Sequence, residues 1–263
     1  EASPPVDPPG GDDPQARGLR DQVGKIVAGV FVLLVTAATV GAALWSRQSQ
    51  DLAPPDPNTR RISIPADAPR FDTGFEDGLS AWDFGGVPWS VQGAGADAVL
   101  RAGATREVYP VALWATVDFG DADVSVRFRL TDTTSEAAAG IVFRARDHRS
   151  YYAVRASGIE DNVRLYTMEE GERVAIAGAE VSRLQAGRWY TMRVVAVGKQ
   201  IQVYLDDQLV IDQADEKYSQ GKVGVWVIED STAEFDDFSV SGAAASAEAT
   251  PSVRAALPLH SGQ

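Results

Sequence analysis

The stretch GRWYTMRVVAVGKQIQVYLDDQLV, residues 187–210, decides the architecture. It holds two runs, RWYTMRVVAV (188–197) and KQIQVYLD (199–206), joined by VGK (197–199), with DDQ (206–208) closing the second. Apolar residues recur at every other position in both runs, the period of a strand and not of a helix. Glycine and aspartate at the junctions suit the left-handed backbone that tight hairpins need. The stretch therefore predicts consecutive antiparallel strands.

The same reading extends outward. In DVSVRFRL (123–130), Val124, Val126, Phe128 and Leu130 alternate with Ser125, Arg127 and Arg129, as in a sheet buried on one face. AGIVFRAR (139–146), SYYAVRAS (150–157), NVRLYTM (162–168) and GKVGVWVI (221–228) are similar, and EEGE (169–172) supplies another turn. Many short strands with no long amphipathic helix between residues 71 and 242 predict a mainly β, antiparallel sandwich.

Composition narrows the chemistry. A formal charge of -13 disfavours nucleic acid, which rewards basic surfaces. The absence of cysteine removes disulfides, thiolate nucleophiles and Cys-bound zinc. His148 and His260 are the only histidines, too few for a His-rich metal site, and His260 lies in a tail.

The segments before the sandwich read differently. Residues 1–25 are rich in Pro, Gly and Asp and are expected to form an N-terminal cytoplasmic arm. IVAGVFVLLVTAATVGAALW (26–45) is uncharged and long enough for a transmembrane helix, given a hydrocarbon core of about 30 Å crossed at about 1.5 Å per residue. Arg17, Arg20 and Lys25 precede it and only Arg47 follows closely, so the N-terminus is expected in the cytoplasm and the sandwich in the periplasm or outside the cell. Gly24 and Ala28, Ala37 and Gly41, and Ala38 and Ala42 are small-residue pairs through which another helix can approach. Residues 46–70 are Pro-rich and read as a stalk, and residues 243–263 as a flexible C-terminal tail.

FEDGLSAW (75–82), YYAVR (151–155), GRWYTMRVVAVGKQIQVYLDDQLV (187–210), GKVGVWV (221–227) and FDDFSV (235–240) together resemble the concanavalin A-like lectin and glucanase superfamily. Within it the chain is most similar to laminin G-like domains and to domains described as family 16 glycoside hydrolase-like or 3-keto-disaccharide hydrolase-like. The resemblance implies a jelly-roll β-sandwich over residues 71–242, a fold that hosts enzymes, lectins and adhesion modules alike.

Candidate sites follow from the residues and the resemblance together. Glu234 and Asp236 match the first two acids of the family 16 glucanase pattern, but the next carboxylate would fall at Phe238 or Ser239. Retaining hydrolysis needs two carboxyl groups about 5–5.5 Å apart, so no catalytic residue is assigned and the protein is expected not to be an enzyme. In related carbohydrate-binding modules, acids near the first and last strands meet at a structural calcium ion. The resemblance places that site at Glu76, Asp77, Asp236 and Asp237, whose hard oxygens suit calcium. Trp114, Tyr151, Tyr152, Tyr166 and Arg155 are candidate sugar contacts, because aromatic faces and guanidinium groups suit rings and hydroxyls. Trp82, Trp89, Trp189 and Trp226 read as core.

These features give three functional expectations. The leading one is a non-catalytic, membrane-anchored subunit that docks on other integral membrane proteins, as in a large respiratory or photosynthetic assembly, and contacts the lipid bilayer through residues 26–45. The second is a cell-surface module binding polysaccharide. A glycoside hydrolase comes last, for want of the second acid.

Overall fold

The long strand β5 (Val111–Leu130) organises the molecule, because its two halves belong to different layers. Before it come β1 (Arg70–Thr73), β2 (Trp82–Asp83), β3 (Trp89–Gln92) and β4 (Val99–Ala102). After it come β6 (Ala138–Ala145), β7 (Tyr151–Ser157), β8 (Asn162–Glu169), β9 (Glu172–Glu180) and β10 (Trp189–Val197). The series ends with β11 (Gln200–Leu205), β12 (Gln208–Ala214), β13 (Gly221–Val227) and β14 (Ala233–Ala244). The computed structural model describes residues 55–56, 58–103, 105–132, 137–229, 231 and 233–245. The arm, the apolar segment 26–45 with its small-residue pairs, and nearly all of the tail lie outside the described residues. Among the described residues no helix is long and apolar enough to cross a membrane.

The first half of β5 pairs with β2 and β13, and the sheet continues through β6, β7 and β8 to β9. Its second half pairs with β10 on one side and β14 on the other, followed by β11 and β12, and by β1, β4 and β3. The crossing lies where β13 pairing ends at Phe119 and β10 pairing begins at Ala122. All described pairings are antiparallel.

Alternation then decides what is inside. Val124, Val126, Phe128 and Leu130 of β5 are buried as expected, and they join Met192, Val194, Ile201, Val203 and Phe235 in one cluster with Ile141, Phe143, Tyr152, Val154, Val163, Leu165 and Val225 of the other layer. The turns behave as their composition demands. Asp206 and Asp207 both have positive φ (47° and 64°), the backbone of a two-residue hairpin, which aspartate tolerates. Glu170 and Gly171 share that geometry between β8 and β9.

Two features depart from the sequence reading. Strands β6 and β7 are buried on both faces, not one, because a second cluster forms on their outer side from Val111, Leu113, Val142, Tyr151, Ala153, Met168 and Trp226. The segment read as a stalk also touches the sandwich. The Ile62 N–H donates to Gln202 Oε1 at 2.9 Å, Gln202 Nε2 donates to the Arg60 carbonyl at 2.9 Å, and the Arg61 guanidinium lies 5.2 Å from the centre of the Tyr204 ring. Residues 60–62 thus cover the outer face of β11, which explains why Gln202 and Tyr204 are buried although they point away from the core.

Candidate functional site

On the layer β13–β6–β7–β8–β9, the face turned away from the core carries charges inside strands that otherwise bury apolar side chains. Arg155 of β7 and Arg164 of β8 sit opposite each other across the hairpin. The loop between these strands turns through Asp161, whose φ of 49° is left-handed, and is fastened where the Glu160 N–H donates to Ser157 Oγ at 3.2 Å. That turn delivers Glu160 to Arg155. Arg155 donates to both carboxylate oxygens, at 2.6 Å and 3.3 Å, and also to Asn162 Oδ1 at 2.9 Å. Asn162 Nδ2 returns a bond to Glu160 at 2.9 Å, and Arg164 Nε stands 3.7 Å from the same oxygen.

Burial divides this network unequally. Arg155 is 4% exposed, whereas the Glu160 side chain keeps 47% of its surface. Partial burial works against ionising Glu160. Hydrogen bonds from Arg155 and Asn162 and the charges of Arg155 and Arg164 outweigh it, holding its carboxyl down at about 2. The result is a carboxylate ionised at neutral pH, fixed by a buried fork and open to solvent.

Aromatic rings extend the network along the sheet. Arg155 and Arg173 of β9 lie over the Tyr166 ring at 5.7 Å and 4.8 Å, and Arg173 also lies 5.1 Å from the centre of the Tyr109 ring. Tyr109 in turn meets Trp226 edge to face at 5.9 Å, and Trp226 Nε1 donates to the Val154 carbonyl at 2.9 Å. Several polar atoms here lack partners. Tyr151 Oη, Arg155 Nε, Asp161 Oδ1, Arg164 Nε and Arg173 NH1 are buried without a hydrogen-bond partner, and elsewhere among the described residues only Trp89 Nε1 shares that condition. Unmet buried polar groups are costly, so their concentration on one face marks a place built for something besides stability.

The structure sorts the sugar contacts expected from sequence. Tyr151, Arg155 and Tyr166 come together on this face. Tyr166 is 5% exposed, however, and its ring holds two guanidinium groups instead of offering a stacking surface. Tyr152 is a correction: it points into the core, fully buried, stacked on Phe143 at 5.1 Å and hydrogen-bonded to Asp215. Trp114 is distant in the topology, on the first half of β5, packed against Phe71 and Phe119. Trp82, Trp89 and Trp226 are buried, but Trp189 is not core; its ring is half-buried, with the Arg127 and Arg129 guanidinium groups 4.9 Å and 4.7 Å from its centre.

The acids of β14 are engaged elsewhere. Arg129 Nε donates to Glu234 at 2.6 Å, Arg127 NH1 donates to Asp237 at 2.8 Å and stands 3.8 Å from Asp236, and Phe238 fills the core where a third acid would be required. Burial raises the Asp236 carboxyl above its ordinary range, opposed by a hydrogen bond from the Asp237 N–H. Among the described residues no three His, Cys, Asp or Glu side chains gather as metal ligands, while of the expected calcium set Glu76 and Asp237 both act electrostatically on Asp236.

Glu160, Asn162, Arg164, Arg173 and Tyr109 escaped the sequence reading. A signal existed for Arg164, since NVRLY places a charge within an otherwise buried strand as YYAVR does at Arg155, whereas Arg173 stands next to the β8–β9 turn and gave none. Glu160 had none, because its role depends on the turn at Asp161.

Comparison with known proteins places this geometry in context. The family model described as 3-keto-alpha-glucoside-1,2-lyase-like domain matches residues 71–241. Levanase of Bacillus subtilis (strain 168) is 28% identical over 120 residues, which are 44% of this chain and only 16% of the enzyme. Carbohydrate-binding module CBM66 from B. subtilis superposes with a TM-score of 0.55 at 22% identity, over 62% of this chain and 97% of the module. A B. subtilis protein with a galectin-like fold gives 0.50 at 14% identity, over 66% and 96%. These superpositions establish the shared β-sandwich.

Proposed function

Because the chain belongs to the 3-keto-alpha-glucoside-1,2-lyase-like domain family, we propose that its sandwich binds a carbohydrate on the outer face of β7, β8 and β9. The observation that carries this reading is the Arg155–Glu160–Asn162 network. A sugar offers neighbouring hydroxyl groups, each both donor and acceptor. Glu160, ionised at any working pH and open to solvent, accepts from two of them, while Arg164 beside it donates back. Buried Arg155 keeps the carboxylate oriented before the ligand arrives, which lowers the ordering cost of binding.

The relatives support this reading ahead of a subunit docked on membrane proteins. One is a carbohydrate-binding module and another, of which this chain spans a small part, is an enzyme named for levan. Glu234 and Asp236 serve here as ion-pair partners of Arg129 and Arg127 and not as an acid pair for hydrolysis. Residues 26–45 anchor the sandwich to a membrane in this proposal, with polysaccharide outside the cytoplasm as its partner.

Native gel electrophoresis of the full chain through soluble polysaccharides tests it, with levan, inulin, xylan, β-glucan and pectin as probes. At least one should retard the protein, and Glu160→Gln should abolish the retardation while the melting curve stays cooperative. Free migration in every gel, or retardation indifferent to Glu160→Gln, would overturn the assignment.

A further inference from the structure

At the opposite end of β7 from the Glu160 network the face deepens into a pocket of about 370 Å³ between the loop carrying Tyr109 and the β8–β9 turn, lined in part by Arg106, Tyr109, His148, Arg149 and Tyr151. This is within the range of small-molecule sites, about 300–1,000 Å³. Tyr151, 1% exposed, lines it with a hydroxyl that has no hydrogen-bond partner. The groups acting electrostatically on that hydroxyl are Tyr109, Arg173 and Asp147. Arg173 lies over Tyr109, has a buried NH1 without a hydrogen-bond partner, and makes no ion pair with any described residue.

We infer that this pocket is an anion subsite, and that the glycan bound on the face carries a carboxylate there, as a uronic acid residue does. The inference rests on the carbohydrate-binding reading above and adds a ligand class to it. Tyr151 Oη–H, in the lining, and Arg173 NH1, whose charge acts on that hydroxyl from behind Tyr109, both need an acceptor, and an ionised oxygen offers charge-assisted bonds. Burial pushes the Tyr151 hydroxyl well above its ordinary range, so it stays protonated and acts as a donor. Arg106 and Arg149 line the pocket with Glu107, Asp147 Oδ1 accepts from the Arg149 N–H at 2.7 Å, and Glu170 and Glu172 flank Gly171 at its rim, so the two unpartnered donors and not net charge carry the assignment.

The test uses the full chain and three acidic oligosaccharides, oligogalacturonate, oligomannuronate and oligoglucuronate, each beside its carboxyl-reduced neutral counterpart, with affinity read by calorimetry. At least one acid form should bind about ten- to hundredfold more tightly than its neutral counterpart, the range expected for a hydrogen bond to a charged group. Arg173→Met and Tyr151→Phe should erase that preference and leave binding of the neutral form in place. Tyr151→Phe should also not lower the melting temperature, since the hydroxyl it removes has no partner to lose. Equal affinity for acid and neutral forms would overturn the anion subsite and leave carbohydrate binding standing. Failure of all six to bind would overturn the subsite; if the polysaccharide gels also show no retardation, the broader reading falls with it. A Tyr151→Phe variant that melts early would assign the hydroxyl to the fold instead.

Discussion

Replacing Arg144 with methionine should destabilise the fold more than any change at the binding face, and its size can be worked out from the geometry. Arg144 is 2% exposed and sits with a left-handed φ of 50° at the end of β6. Its guanidinium reaches three separate backbone carbonyls: Gly120 at 3.1 Å where β5 changes layers, Tyr218 at 3.2 Å before β13, and Gly198 at 2.7 Å in the β10–β11 turn. Asp121, 3.8 Å away, binds the Gly198 N–H at 2.7 Å and closes the arrangement. Bonds to a charged donor contribute about 1.5–3 kcal/mol each, but they share one residue and do not add. Burial also penalises the charge, which lowers the Arg144 pKa despite the neighbouring carboxylate. Methionine retains much of the stem packing and removes that penalty, so the net loss should be about 3 kcal/mol, near the lower end of the range for breaking buried charged networks. For a domain of this size about 1 kcal/mol corresponds to about 2–4 °C, which gives a fall of about 6–12 °C in calorimetry. A fall below about 3 °C, or a loss of cooperativity without a shift, would refute the idea that one side chain ties the layer crossing to two loops.

Other outcomes follow from the same contacts. The Glu160 carboxyl is held at about 2 against an ordinary 4.5, so its stabilisation should be complete above about pH 5 and fade as pH falls toward 2; the melting-temperature gap between wild type and Glu160→Gln should narrow over that interval, and a gap constant with pH would count against the network. Trp226→Phe should lose about 2 kcal/mol by removing the indole bond to the Val154 carbonyl and leaving a small void, and should loosen Tyr109, seen as faster cleavage of the 105–110 loop by protease. Gln202→Leu should speed tryptic cleavage at Arg60 and Arg61 at least tenfold, because Gln202 holds the backbone on both sides of Arg61, while an unchanged rate would show the segment is retained by Arg61 alone. Millimolar calcium should leave the melting temperature of the full chain unchanged, since Arg127 already engages Asp236 and Asp237; a rise would establish a calcium site at these acids.

The sandwich was legible because alternation is a local code. Residues 187–210 read as β10, β11 and the turns around them, and those assignments hold to within about one residue. The code fails where a strand lacks contrast. ERVAIAGAE, which became β9, carries charges only at its ends around an unbroken run of mostly small apolar residues, so no alternation registers, and β1, β2 and β4 are short pieces held by partners distant in sequence. The unusual length of β5 was hidden for a related reason. FGDAD in its middle reads as a turn, yet the backbone continues, because β13 pairs up to Phe119 and β10 takes over at Ala122. Tertiary pairing overrides local preference there.

The candidate site was half legible, and the missing half has one cause. On β7 a shift of a single residue separates two destinies, since Tyr152, Val154 and Ala156 enter the core while Tyr151, Ala153 and Arg155 take the opposite face. Sequence offers Tyr151 and Tyr152 as equals, and only the register decides between them. Arg155 is the residue whose position could have settled it: a buried arginine needs a carboxylate within reach, whereas a core strand offers none, so its side of the strand had to be the one with a partner. Applying that constraint first would have put Tyr151 beside Arg155, sent Tyr152 inward, and directed the search for the partner to the next turn, where Glu160 waits five residues on. A lone arginine in an apolar strand is thus more informative about a functional face than the aromatic residues around it, whose burial on either side costs nothing in charge.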